Sequence, residues 1–154
     1  VQTRLARVAD GTVDATLLAA AGLDRLGMGD VGQSLSIAEI LPAASQGAIG
    51  IECRADDAAT GALLAAIDHG PTRAAVMAER ALLAALGGDC RSPVAAHARP
   101  YQGQLHLSAA IYASDGSWFT VSSIVVTSAS APSELAAQLL EDAPDAVRAL
   151  FSGG

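Results

Sequence analysis

The sequence predicts an α/β segment followed by a small α+β domain, and three patterns support this fold class. A nearly continuous apolar run at residues 13–20, after the turn signal of Asp10 and Gly11, is typical of a strand buried on both faces of an α/β layer. Apolar residues recur at helical spacing over 72–86. Apolar and other residues then alternate over 105–112, which is typical of a half-buried strand. These patterns predict a parallel-sheet layer first and an antiparallel sheet with helices on one face afterwards.

Two further elements are predicted in the first third of the chain. Residues 21–27 form a short helix or turn closed by Gly27, which places Arg25 beside the carboxyl end of the first strand. Ligands usually bind at that end of strands in open α/β sheets. The β-branched and small residues of 47–54 predict a second buried strand, in which Cys53 is a small core residue.

The clearest break in the chain lies at residues 68–71, after a helix predicted for 56–67. Pro71 is suited to the first turn of a new helix, so we place a domain boundary here. That helix covers 72–86 and is expected to stop at the glycine pair 87–88.

The last part of the chain predicts three strands and a closing helix. Turn residues 114–117 join two segments of strong β composition into a hairpin. The predicted strands are 94–98, 105–112 and 118–127, and the helix runs from Pro132 to about Glu141 before Pro144 interrupts it.

Composition excludes several classes of protein. Of 154 residues, 51% are apolar and 16% charged, which fits one globular domain or two small ones. With 9 basic against 16 acidic residues, the chain has no electrostatic footprint for nucleic acid or an anionic membrane. A membrane-spanning helix needs a run of about 18 uncharged apolar residues, and the sequence contains no such run. All basic residues are arginine, which excludes a Schiff-base lysine, pyridoxal phosphate chemistry and a P-loop.

Cysteine and histidine usage points to a cytoplasmic protein without a structural metal. Cys53 and Cys90 lie far apart, and His69, His97 and His106 occur singly, so a zinc site lacks its ligands. Both thiols are expected to be reduced. The chain starts at Val1 without a signal-like segment, and its first residues are typical of the middle of a structured region, so we expect a fragment.

The sharpest local feature is Cys90 in the glycine-rich loop 86–93, because a loop cysteine is accessible. Arg91 favours its thiolate and Asp89 opposes it. The alternative to a reactive cysteine is an ordinary surface or half-buried thiol without a chemical role. A protease-like dyad with His97 or His106 has no spacing rule in its favour.

Arginines mark a second candidate feature. Arg4, Arg7, Arg25 and Arg54 stand in a region otherwise poor in charge, and guanidinium groups bind carboxylates through paired hydrogen bonds. They predict an acidic small-molecule ligand, with ordinary surface arginines as the alternative, favoured for Arg7.

Five segments together carry a family resemblance that no single one would carry. In order along the chain they are 1–5, 14–27, 41–54, 78–80 and 88–93. They resemble porphobilinogen deaminase, also called hydroxymethylbilane synthase. The resemblance covers nearly the whole chain and is weak only in the last 25 or so residues.

The resemblance implies a three-domain enzyme of which this chain holds the later parts. Residues 1–42 would be the remainder of a second, periplasmic-binding-protein-like α/β domain, and residues 43–70 a crossing segment towards the first domain. Residues 71–154 would be the cofactor-carrying α+β domain.

The implied activity is the head-to-tail condensation of four porphobilinogen molecules into hydroxymethylbilane with release of ammonia, a step of tetrapyrrole and haem biosynthesis. The family builds the chain on a dipyrromethane cofactor held by a thioether, and Cys90 matches the cysteine that carries it. Arg4 and Arg25 match arginines that hold the pyrrole carboxylates, and Gln46 matches a glutamine of the same cleft. Porphobilinogen and oligopyrrole intermediates are the implied partners, in a monomeric enzyme.

Two departures from the family qualify this picture. The family often has Gly-Gly-Cys-Gln-Val-Pro where residues 88–93 read Gly-Asp-Cys-Arg-Ser-Pro, so the charges around the cysteine differ. The family's catalytic aspartate belongs to the first domain, and none of Asp10, Asp14 or Asp24 matches it. The chain alone is therefore expected to be inactive, with no catalytic residue of its own. The alternative is a noncatalytic α+β ligand-binding or interaction domain with a free thiol.

Overall fold

A computed structural model describes residues 1–151, and the chain divides into two compact units, Val1–Glu39 and the remainder from Ile40 onwards. The first unit contains helix α1 (Gln2–Ala9) and the short helix α2 (Ala20–Arg25), which buries Leu23. Gly27 follows α2 with a φ of 67°, a left-handed conformation that favours glycine and ends the helix as predicted.

The strand predicted for residues 13–20 is wrong for this structure. The segment has no strand assignment, and Leu17 is 68% exposed. A strand buried on both faces needs neighbouring strands for its backbone and helices for its side chains, and none lies beside this segment within residues 1–39. The first unit thus consists of helices and irregular segments.

The second unit starts with a similar correction. Residues 47–54 form no strand, Ile49 is 90% exposed, and Cys53 is exposed rather than in the core. The predicted helix after it is confirmed as α3 (Ala58–Ile67). Its N-cap is Asp57, whose side chain accepts a hydrogen bond from the backbone N–H of Thr60 at 3.0 Å.

The rest of the second unit is the predicted α+β arrangement. Helix α4 (Gly70–Ala85) has Pro71 in its first turn and leads into an antiparallel sheet of order β1-β2-β3. The strands are β1 (Val94–Tyr101), β2 (Gln104–Tyr112) and β3 (Phe119–Val125). They are followed by α5 (Ala131–Glu141), α6 (Asp145–Arg148) and a 3₁₀ turn (Ala149–Phe151).

One face of this sheet packs against α4 and α5 and forms the core. Leu107 of β2, Leu82 of α4 and Leu135 of α5 are completely buried. Burying each such side chain contributes about 1.5–3 kcal/mol. The alternation predicted for 105–112 therefore places its apolar residues under the helices. Within residues 1–151, no helix combines the length and apolar character needed to cross a bilayer.

The free edge of β1 is covered, and this covering positions a loop. The backbone N–H of Ala96 donates to the carbonyl of Pro42 at 2.9 Å, and that of Ala98 donates to Oε1 of Glu79 at 2.8 Å. An uncovered edge strand would offer these groups to another chain. The hydrogen bond between Pro42 and Ala96 therefore holds the segment before Gln46 against the edge of the sheet.

Candidate functional site

Cys90 lies in a tight turn between α4 and β1, and its thiol is exposed. The backbone N–H of Ser92 donates to the carbonyl of Asp89 at 3.2 Å, so Cys90 and Arg91 are the two central residues of a four-residue turn. The structure therefore places Cys90 in the predicted loop just beyond the end of α4. An exposed thiol of this kind can react with an electrophile.

Side chains of the turn reinforce it. Oδ1 of Asp89 accepts hydrogen bonds from the backbone N–H of Arg91 at 2.8 Å and from the Ser92 hydroxyl at 3.3 Å. The backbone N–H of Asp89 donates to Oγ of Ser92 at 2.8 Å. These bonds pair both side chains with the backbone of the turn that displays Cys90.

The same bonds change the acidity of Asp89. The backbone N–H of Arg91 holds the pKa of Asp89 below its usual range, and the charge of Arg91 and the hydroxyl of Ser92 act in the same direction. Asp89 is therefore a carboxylate at neutral pH. Its contribution to the turn is present above the ordinary pKa of an aspartate and is lost as the pH falls through the lowered value.

Two glycines allow the chain to pass from α4 into the turn. Gly87 has a φ of 67°, and a Cβ built on it would lie 2.7 Å from the carbonyl oxygen of Phe151. A Cβ on Gly88 would lie 2.7 Å from Cδ1 of Leu83 and 3.3 Å from Oγ of Ser92. Glycine is thus required at position 87, where the neighbouring atom belongs to the backbone, whereas at position 88 the nearest atom is the end of a flexible leucine side chain.

Gln46, the predicted cleft glutamine, is exposed in a turn that Glu79 holds in place. The backbone N–H of Ser45 donates to Oε2 of Glu79 at 2.6 Å, and Ser45 itself has a φ of 62°. With Ala98 bound to its other oxygen, the buried Glu79 carboxylate joins the turn of Gln46 to β1.

Gln46 also lines a cleft of about 410 Å³ within the second unit, together with Glu79, His69 and His97. The residues that line this cleft do not include Cys90. The structure therefore keeps Gln46 and the thiol in separate surface features of the same unit.

Arg4 and Arg25, the predicted carboxylate-binding residues, lie in the first unit, where both are exposed. Arg4 on α1 donates from one guanidinium nitrogen to the carbonyl of Leu17 at 3.0 Å. Arg25 is the last residue of α2, and no hydrogen bond or ion pair of its side chain occurs within residues 1–151. Neither lines the unit's largely apolar cavity of about 400 Å³.

The alternative of a cysteine–histidine dyad gains no support, because in the described part of the chain no hydrogen bond joins Cys90 to a histidine. Nδ1 of His97 is 3.9 Å from Oε1 of Glu79, and the ring of His106 packs edge-on against Tyr101 at 5.5 Å. Nor do the residues from 1 to 151 contain a cluster of three or more ligand side chains suited to a metal ion.

Glu79 is the residue that sequence reasoning missed. It is only 6% exposed, although acidic residues are rarely buried without a partner. Its spacing was the available signal, because Glu79 is four residues after Ala75 and three before Leu82, on the apolar side of α4. An acidic residue in an apolar stripe predicts a buried carboxylate that accepts hydrogen bonds.

Comparison with known families matches most of the chain in two blocks. Residues 1–62 match the model described as "Porphobilinogen deaminase, dipyromethane cofactor binding domain". Residues 73–143, which include Cys90, match the model described as "Porphobilinogen deaminase, C-terminal domain". Both models describe domains of a deaminase that binds a dipyrromethane cofactor.

Curated relatives agree with both blocks. The porphobilinogen deaminase of Sphingopyxis alaskensis is 60% identical over 99% of this chain and 49% of its own length. That of Chromobacterium violaceum is 47% identical over 88% of this chain and 43% of its own length, and a chloroplastic one from Pisum sativum is 52% identical over 64% and 27%. The chain belongs to the porphobilinogen deaminase family, whose cofactor is dipyrromethane, and it spans about half the length or less of these relatives.

Proposed function

We propose that this chain forms the cofactor-carrying half of a porphobilinogen deaminase, with dipyrromethane attached through a thioether to Cys90. The observation that carries the proposal is the exposed thiol at a central position of the Asp89–Ser92 turn, inside the segment that matches the family's C-terminal domain. Family membership disfavours the alternative of a noncatalytic interaction domain.

The thiol fits the chemistry of attachment. The aminomethyl carbon of porphobilinogen loses its amine, a C–S bond to Cys90 replaces the C–N bond, and the thiol proton leaves with the nitrogen as ammonia. A soft, accessible sulfur is suited to this substitution, and the thioether formed resists hydrolysis. When bound, the cofactor supplies the free pyrrole end to which further pyrrole units are joined.

The arginines and Gln46 supply complementary chemistry. Each pyrrole carries an acetate and a propionate, so a growing chain gathers carboxylates that fixed positive charge can hold. Arg25 has its whole guanidinium group available within the described residues, and Arg4 keeps donors besides the one bound to Leu17. The exposed amide of Gln46 can donate to a carboxylate as well.

The wider assignments form part of the same proposal. Residues 1–42 belong to a periplasmic-binding-protein-like domain, 43–70 cross towards the first domain, and 71–154 carry the cofactor. The complete enzyme is a cytoplasmic monomer that converts four porphobilinogen molecules into hydroxymethylbilane, and this chain alone lacks the catalytic aspartate.

Replacing Cys90 with serine tests the attachment point. The matching half of the Sphingopyxis alaskensis protein is exchanged for this chain, and the intact mass of the purified chimera is measured. We expect a two-pyrrole adduct that disappears completely in Cys90→Ser. Cys53→Ser is the matched control, because Cys53 is the other exposed thiol, and it should keep the adduct. An adduct that survives Cys90→Ser, or follows Cys53 instead, contradicts the proposal.

Arg4→Ala and Arg25→Ala test the carboxylate-binding role in the same chimera. Each loses charge-assisted hydrogen bonds worth about 1.5–3 kcal/mol, so hydroxymethylbilane formation should slow by about 10–100-fold. Arg7→Ala, an exposed arginine of α1, is the control and should retain its rate. Normal rates in both test variants, with an unchanged circular dichroism spectrum, would remove these residues from the site.

A further inference from the structure

We infer that Asp89 and Ser92 are positioning residues for Cys90, which hold the thiol at a fixed corner of the turn for attack on the bulky porphobilinogen electrophile. The inference rests on the proposed function of Cys90. Its basis is the ring of hydrogen bonds that the two side chains form around the turn, at 2.8, 2.8 and 3.3 Å.

These two side chains serve the turn alone. Within residues 1–151 every hydrogen bond of the Asp89 carboxylate and of the Ser92 hydroxyl stays inside 89–92, and neither side chain bonds to a helix or a strand. Asp89 is exposed, so it adds nothing to the core. We infer that the two side chains determine the geometry of the turn.

Backbone hydrogen bonds hold both ends of the turn in place. The side-chain hydrogen bonds of Asp89 and Ser92 therefore determine only the orientation of the two central residues, Cys90 and Arg91. On the helix side, the backbone N–H of Gly88 donates to the carbonyl of Leu83 at 2.9 Å. On the strand side, the backbone N–H of Tyr112 donates to the carbonyl of Pro93 at 3.0 Å. Loss of the Asp89 bonds would therefore free Cys90 while α4 and the sheet stay in place.

A fixed corner matters more for a large electrophile than for a small one. Orienting two reactants before the bond forms removes part of the entropic barrier of their reaction. Porphobilinogen presents one reactive carbon beside two carboxylates and needs one direction of approach. Iodoacetamide is small and uncharged, so it reaches an exposed thiol from many directions.

The test compares Asp89→Ala with Asp89→Asn in a Cys53→Ser background, where Cys90 is the reporting thiol. Both variants remove the negative charge, but asparagine keeps a side-chain oxygen that accepts from Arg91 and Ser92. The chimera described above is produced free of the cofactor in cells that make no porphobilinogen, and attachment after addition of porphobilinogen is followed by intact mass. We expect attachment about tenfold slower in Asp89→Ala and within about twofold of the parent in Asp89→Asn. Ser92→Ala should resemble Asp89→Ala.

Two further measurements separate positioning from damage to the thiol or the fold. Alkylation of Cys90 by iodoacetamide should agree within about threefold among the variants, because the sulfur stays exposed. In this chain, hydrogen exchange at the Arg91 amide should accelerate about tenfold in Asp89→Ala and remain slow in Asp89→Asn.

The inference is overturned if Asp89→Ala attaches the adduct at the parent rate, if Asp89→Asn is as slow as Asp89→Ala, or if exchange at Arg91 does not change. A parent chimera that never acquires an adduct instead defeats the proposed function. In that case the Arg91 exchange rates still report whether Asp89 fixes the turn, so the two failures are distinguishable.

Discussion

Replacement of Glu79 with alanine should destabilise the second unit by about 2–4 kcal/mol. Glu79 is only 6% exposed, and its carboxylate accepts hydrogen bonds from the backbone N–H groups of Ser45 at 2.6 Å and Ala98 at 2.8 Å. Its removal leaves both donors without a partner, and each buried unsatisfied donor costs about 1–3 kcal/mol. The lower part of that range applies to Ser45, which is only half-buried.

Urea unfolding followed by the fluorescence of Trp118 measures this effect, because the chain has a single tryptophan and it packs against the core of the second unit. Glu52→Ala is the control, since Glu52 is an exposed glutamate of the second unit whose side chain forms no hydrogen bond or ion pair within residues 1–151, and it should cost no more than about 0.5 kcal/mol. Equal midpoints for the two alanine variants would show that the Glu79 hydrogen bonds carry no net stability.

Glu79 affects the candidate site by holding the turn that contains Gln46. The same carboxylate that satisfies β1 holds the turn in which Gln46 is exposed, so a loss of Glu79 frees that turn from the sheet. A single buried group on α4 thus couples the edge of the sheet to a candidate cofactor-binding residue. The unit that presents Cys90 and the segment that presents Gln46 are joined by this bond and by the contact of Pro42 with Ala96.

The sequence was sufficient for the fold of the second unit from α4 onwards, because its signals are local. Helical spacing before the glycine pair, alternation over 105–112 and a turn at 114–117 each determine one element without reference to distant parts of the chain. The strand predictions for residues 13–20 and 47–54 were wrong because a strand is not determined by local signals alone. An apolar run predicts burial, but strand pairing depends on neighbours that the described residues do not provide.

The candidate site divides in the same way. The accessible position of Cys90 could be predicted, because two glycines after a helix indicate an exposed loop. The bonds from Asp89 and Ser92 could not, because they depend on the backbone angles of one particular turn. The burial of Glu79 depends on how α4 packs against β1. Helical periodicity places Glu79 on the apolar side of α4 but does not determine that packing.

Replacement of Gly87 with alanine should be the second large effect, at about 2–5 kcal/mol. Its φ of 67° costs any residue with a Cβ about 1–2 kcal/mol. In addition, a Cβ there would approach the carbonyl oxygen of Phe151 to 2.7 Å, and relief of that overlap requires a backbone shift worth about 1–3 kcal/mol.

Gly116→Ala separates the two contributions, because Gly116 has a φ of 72° but open space within 4 Å of the Cβ position. It should lose only the conformational part, so unfolding free energies from Trp118 fluorescence should differ by about 1–3 kcal/mol between the two variants. Equal losses would mean that the contact with Phe151 yields without cost. A larger loss in Gly87→Ala would show that packing against the 3₁₀ turn Ala149–Phe151 determines where α4 ends, and with it the position of the base of the Cys90 turn.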